Sequence, residues 1–149
     1  MAAKLVFIPP PVYALLLLAL AQLLAVWLPL PVDLSAEWLA LLLGAAGIGL
    51  LLWAWFHFRQ WRTTPVPFGT PSALVLTGPY RWTRNPMYLG IVLVLVGLVF
   101  LLGSPWFLLV PAGFWQIVNR LFIPYEEARL TELFGRDYQA FTVTVRRWL

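Results

Sequence analysis

The 149-residue sequence is 62% apolar and only 11% charged, with a mean hydropathy of +0.84. A soluble domain usually runs about 45–50% apolar and about 25% charged. This composition therefore excludes a disordered chain, a nucleic-acid-binding domain and an ordinary globular core, and it makes lipid the solvent for surface that 149 residues cannot bury. There is no cysteine, which excludes a disulfide frame, a thiolate nucleophile and a thiolate metal site. The length predicts one domain over residues 1–149, with no room for a soluble catalytic domain beside an anchor.

A bilayer core takes about 20 residues of helix, with a range of about 17–25. Four stretches qualify, over about 12–30, 38–56, 87–103 and 105–124. The first has too long an apolar core for a signal peptide and lacks a small-residue cleavage site. The third and fourth are joined by Gly103-Ser104-Pro105 and so predict an antiparallel helical hairpin. The second carries Gly44, Gly47 and Gly49 beside Ala45 and Ala46, a face that lets helices approach closely in lipid. The expected fold is thus an all-α integral membrane protein of about four transmembrane helices, with a helical hairpin and a C-terminal amphipathic helical tail.

Charge sets the orientation. The ten Lys and Arg (Lys4, Arg59, Arg62, Arg81, Arg84, Arg120, Arg129, Arg136, Arg146, Arg147) all fall on one side of these spans, whereas the first loop holds only Asp33 and Glu37. By the positive-inside rule both termini face the cytoplasm. Trp27, Trp38 and Trp106 then mark the outer interface, and Trp55, Trp61, Trp82 and Trp148 the inner one.

Polar chemistry is confined to two segments on the inner side, the loop 59–86 and the tail 125–149. In the loop, Pro65, Pro67, Pro71 and Pro79 prevent a long helix. Thr77-Gly78-Pro79-Tyr80 reads as a turn, and Pro86 opens the third span. Arg84 and Asn85 therefore approach a helix N-terminus, which favours an anion. Tyr88 and Gly90 follow in its first turns, and Gly90 leaves room for a ligand or a neighbouring helix. In the tail, Glu126 and Glu127 follow Pro124 and suit a helix start. Leu130, Leu133 and Phe134 form an apolar stripe, Gly135 reads as a helix stop, and Glu132 with Arg136 makes an i,i+4 pair. Arg120, near the end of the fourth span, is an ionisable group that either snorkels or faces a cavity.

The motifs of several enzyme classes are missing. There is no phosphate loop, no GxGxxG, no HExxH and no GxSxG elbow. His57 is the single histidine, so neither a catalytic triad nor a metal site is expected.

The stretch Gly78-Pro79-Tyr80 followed by Arg84-Asn85-Pro86-Met87-Tyr88-Leu89-Gly90 resembles the first signature of the isoprenylcysteine carboxyl methyltransferase family. The tail Glu126-Glu127, Leu130, Phe134-Gly135, Tyr138, Phe141 and Arg146-Arg147 resembles its second. The wider superfamily includes the phospholipid N-methyltransferases. The resemblance covers about residues 60–149; one departure is Asn85, where the eukaryotic members carry His.

The resemblance implies an integral membrane methyltransferase that uses S-adenosylmethionine and releases S-adenosylhomocysteine. The cofactor would be enclosed between loop, hairpin and folded tail. Carried over by position, Tyr80, Arg84, Asn85, Pro86, Tyr88, Gly90, Glu126, Glu127 and Tyr138 form the cofactor site. Arg84 and Asn85 suit the cofactor carboxylate, the two glutamates its ammonium or ribose hydroxyls, and Tyr88 and Tyr138 its adenine or sulfonium. Arg120, Glu127 and Arg147 are the catalytic candidates: an arginine (Arg120 first, Arg146 or Arg147 behind it) to place a carboxylate acceptor, or Glu127 to deprotonate an amine. The expected reaction is methyl transfer to a lipophilic acceptor entering from the bilayer, O-methylation of a prenyl- or lipid-linked carboxylate ahead of N-methylation of a phospholipid amine. The competing readings are an NADPH-dependent reductase, which the chain's length and lack of a basic cluster for a 2′-phosphate oppose, and a non-enzymatic scaffold whose basic face binds anionic lipid.

Overall fold

Prolines mark the helix starts. Pro10 opens α1 (Pro10–Trp27), Pro79 and Pro105 sit in the first turns of two short 3-10 helices (Gly78–Arg81 and Pro105–Leu108), and Pro86 follows α2 (Glu37–Gln60) to open α3 (Pro86–Leu102). At N1 the missing proline N–H has no partner to lose. The computed structural model describes residues 8–61 and 71–149; Lys4, Arg62, Pro65 and Pro67 of the charge and loop arguments lie outside the described residues.

α1, α2 and the helical run Pro105–Thr144 are long and apolar enough to cross a membrane. α3, expected as the third of four spans, has 17 residues and is shorter than these three. It nevertheless lies antiparallel along α2. At one end the Ala36 N–H donates to Phe100 O at 2.9 Å, and at the other Trp53 packs edge-on to Trp82, ring centroids 5.4 Å apart.

Glycine decides how close these two helices come. A Cβ on Gly47 would lie 2.6 Å from Gly90 O, and one on Gly90 would lie 2.8 Å from Gly47 O. Gly97 also approaches Ala40 O, where a Cβ would stand 3.0 Å away. Small residues bring backbones together in lipid, where packing substitutes for the hydrophobic force. Gly90 is thus committed to the helix crossing, the second of the two uses that its position allowed. α1 packs on α4 (Leu109–Ile117) rather than on its neighbour in sequence, with Ala14 and Ala21 buried on that face and Leu17 against Gly113. The opposite faces of α1 and α2 present Leu15, Leu16, Leu41 and Leu52 outward, as lipid-facing helices do.

The turn Gly103-Ser104-Pro105 closes the hairpin as the sequence predicts. Gly103 caps α3 with φ 74° and its carbonyl accepts from Leu34 N–H at 2.7 Å. Asp33 accepts from Ser35 N–H at 2.9 Å in the same corner, and hydrogen bonds from Ser35 hold its carboxyl below the usual range. Trp106 Nε1 donates to Leu28 O at 2.8 Å, so Trp106 and the end of α1 share this end of the molecule.

The sequence places a break at Pro124 and a new helix at Glu126. Instead the helix runs on. α4 passes into a π-helical turn (Val118–Phe122) and then into α5 (Ile123–Thr144), with Pro124 in the first turn of α5. In the π turn the Ile123 N–H reaches back five residues to Val118 O. That wider ladder accommodates a residue that would otherwise clash with the preceding turn. Gly135 does interrupt the helix: at φ 49° and ψ −117° it is non-helical, and α5 continues beyond it at a kink. Nothing lies within 4 Å of where its Cβ would be, so glycine is needed there for backbone freedom rather than space. Because the kink lies between them, the expected pair Glu132–Arg136 does not form; among the described residues the ion pairs are those of Glu127 with Arg84 and Arg147.

Candidate functional site

Residues 83–85 and the end of the tail are more than sixty positions apart in sequence, and the fold clasps them together. Arg84 N–H donates to Arg146 O at 3.0 Å. Thr83 Oγ1 and Asn85 Nδ2 both donate to Arg147 O, at 3.1 and 2.9 Å. Thr83, the buried polar residue of this segment, also accepts from Asn85 N–H at 3.2 Å. The extended backbone after Thr144 frees these carbonyls from the helix to be read in this way.

Side chains continue the clasp. Glu127 Oε1 pairs with Arg84 Nη1 at 2.8 Å, and Glu127 Oε2 with Arg147 Nη2 at 2.6 Å. Arg147 Nε adds a bond to Glu127 Oε1 at 3.1 Å, giving the two-pronged contact that suits a guanidinium. Arg147 Nη1 lies 3.5 Å from Asn119 Oδ1, which also accepts from Trp148 Nε1 at 3.1 Å. Trp148 lies beside Trp115, with ring centroids 5.9 Å apart.

Behind this clasp lies a cavity of about 260 Å³, near the lower end of the roughly 300–1,000 Å³ usual for small-molecule sites. Its polar wall holds Tyr80, Arg84, Asn85, Tyr88, Glu126, Glu127, Arg129 and Tyr138. Its apolar wall is built from Pro10 and Pro11 of α1, Phe58 of α2, Leu74 and Val75, Met87 and Ile91 of α3, and Leu130 and Phe141 of α5. Tyr88 Oη donates to Glu126 Oε1 at 2.7 Å. Tyr80 is buried, and burial together with the nearby Glu126 carboxylate pushes its phenol above the ordinary value, so its hydroxyl stays protonated as a donor. Arg84 Nη1 lies 3.5 Å from Tyr138 Oη, while Arg84 Nε is buried with no partner. That orphaned donor, the adjacent carboxylates and the ring walls suit a zwitterion that carries an aromatic group.

A family model described as "Phospholipid methyltransferase" matches residues 35–137. The chain belongs to the phospholipid methyltransferase family. Two curated relatives, both named "Probable protein-S-isoprenylcysteine O-methyltransferase", from Oryza sativa subsp. indica and Oryza sativa subsp. japonica, are each 35% identical over 79 residues. The match covers 51% of this chain and 40% of each relative, so less than half the length of those proteins is represented. No solved structure matches.

The phospholipid methyltransferase match holds most of the residues singled out from sequence. Tyr80, Arg84, Asn85, Pro86, Tyr88, Glu126 and Glu127 lie within it and line the cavity; Tyr138, just past its end, lines it too. Two candidates stand elsewhere. Gly90 belongs to the α2–α3 crossing, and Arg120 is exposed on the π turn and takes no part in the lining. Arg147 reaches the site through Glu127 rather than by lining the cavity. Sequence reasoning missed Arg129 and the apolar contributions of Pro10, Pro11, Pro71, Ala73, Leu74 and Val75. Position 129 does fall one turn after Glu126, and that spacing was its one signal.

Proposed function

We propose that this protein transfers a methyl group from S-adenosylmethionine to a lipophilic acceptor, with a prenyl- or lipid-linked carboxylate as the substrate class. The observation that carries this reading is the cavity itself: both signature segments wall it, joined by the 2.8 Å Arg84–Glu127 pair, and its other wall is apolar. When bound, S-adenosylmethionine supplies a methyl on a sulfonium, which passes to an acceptor oxygen as the carbon–sulfur bond breaks. Arg84 and Asn85 would hold the cofactor carboxylate, Glu126 its ammonium or ribose hydroxyls, and Tyr80 and Tyr88 its ring. Glu127 keeps Arg84 in place. The chain need offer no covalent nucleophile, since alignment alone can contribute about 7–11 kcal/mol to such a step. The acceptor named for the rice relatives, an isoprenylcysteine, suits the apolar wall.

N-methylation of a phospholipid amine is the second reading, favoured by the description of the family model. Incubating the purified protein with methyl-labelled cofactor and either a prenylated cysteine or a lipid extract, followed by base, separates the two. An ester releases labelled methanol, and an N-methyl group keeps its label. Calorimetry in which NADPH binds and S-adenosylmethionine does not would overturn both.

The same reading puts the cavity on the cytoplasmic side, where the arginines of loop and tail face in. The sequence has no cysteine of its own. Ser104→Cys should therefore label with an impermeant thiol reagent from outside intact cells, and Arg136→Cys should not; the reverse pattern inverts the topology.

A further inference from the structure

Among the described residues, two buried side-chain nitrogens have no hydrogen-bond partner: Nε of Arg84 and Nε of Arg129. Both side chains line the same cavity. Arg84 is otherwise committed, since its Nη1 is paired with Glu127. Arg129 is not, because the ion pairs of the described structure all end on Glu127 and come from Arg84 and Arg147. Glu126, one turn before Arg129, accepts from Tyr88. A guanidinium brings five donors and no acceptor, and leaving a buried donor unmade is costly. The cavity wall thus holds a cation with a buried N–H left for something that enters it.

We propose that Arg129 is the acceptor-holding residue of this site, its guanidinium taking the anionic group of the lipophilic molecule to be methylated. The proposal rests on the methyltransferase reading and adds a residue to it. Arg129 is followed directly by Leu130, which also lines the cavity, so charge and apolar wall adjoin as an amphiphilic acid requires. A planar fork matches a carboxylate at two points. An ammonium acceptor would meet a like charge there instead. Exposed on the π turn, Arg120 leaves this task to Arg129.

The test uses the full chain in phosphatidylcholine nanodiscs, as wild type, Arg129→Ala and Arg129→Lys. Calorimetry reads the affinity for S-adenosylmethionine, for N-acetyl-S-farnesylcysteine with a free carboxylate, and for its uncharged methyl ester. Arg129→Ala should weaken the acid roughly 10- to 100-fold, the effect of losing a hydrogen bond between charged groups, and leave the ester and the cofactor unchanged. Arg129→Lys should recover part of the loss. Equal weakening of acid and ester would make Arg129 a packing residue, a parallel loss of cofactor would assign it to the cofactor half, and acid binding unaffected by the substitution would show that Arg129 does not hold the acid; each overturns the proposal alone. Failure of the wild type to bind S-adenosylmethionine would instead remove the methyltransferase reading and the proposal with it.

Discussion

The two ends of the molecule are held by different forces. At the Gly103 end and through the middle, helices meet by close packing at small residues: Gly47 against Gly90 and Gly97 against Ala40 by their backbones, and the Leu17 side chain against Gly113. At the other end, residues 83–85 and 146–147 meet through directional bonds to carbonyls and through a carboxylate shared by two arginines. Packing by small residues fixes where helices stand, but it aims no polar atom at a ligand. A clasp of charges fixes the orientation of particular atoms, and the cavity lies beside it. The scaffold and the site should therefore fail in different ways when each is altered.

The largest effect is expected in the scaffold. Gly47→Leu drives a side chain into Gly90 and Val94, and overpacking of this kind costs about 3 kcal/mol or more when neither backbone can retreat. Thermal unfolding in detergent should show the loss, and an unchanged midpoint would mean that the crossing is looser than these glycine contacts imply. Next, Glu127→Gln should leave thermal stability far less affected but weaken S-adenosylmethionine by about 2 kcal/mol, the scale of a hydrogen bond to a charged group, since Arg84 would lose its anchor. Calorimetry with a stability control separates these two quantities. Tyr88→Phe deletes one donor to Glu126 and should weaken the cofactor by about 1 kcal/mol, read in the same titration. Arg120→Ala, at an exposed position, should change stability and turnover by less than about 0.5 kcal/mol; a large fall in turnover would bring Arg120 back to the chemistry and blur the division between the two ends.

Much of the architecture was legible because it is written in local terms. Pro86 opens α3 and Gly103 closes it where proline and glycine are expected, and the apolar runs mark the helices that cross the bilayer. The meeting of Arg84 with the glutamate pair was legible only through the likeness of two remote segments to known signatures, since nothing local joins residues 84 and 127. Three features were not legible. Pro124 looks like a break in any sequence, yet a π turn upstream carries the helix past it. Gly90 suits a ligand or a helix equally, and only the position of α2 decides. Arg120 and Arg129 are both arginines on one helical run, and the local string does not say which of them turns inward.

The π turn has a bearing on the site that its small size conceals. A five-residue ladder step is an ordinary helix with one amino acid too many, and each amino acid in an α-helix rotates the chain beyond it by about 100°. Without that surplus position between 118 and 122, Glu126, Glu127 and Arg129 would keep their spacing but look toward a different neighbour, and the carboxylate that now meets Arg84 would be swung round the axis. A single inserted amino acid thus serves as the angular setting of the acidic pair, and a one-residue deletion there would detune the site while every side chain that builds it stayed in the protein.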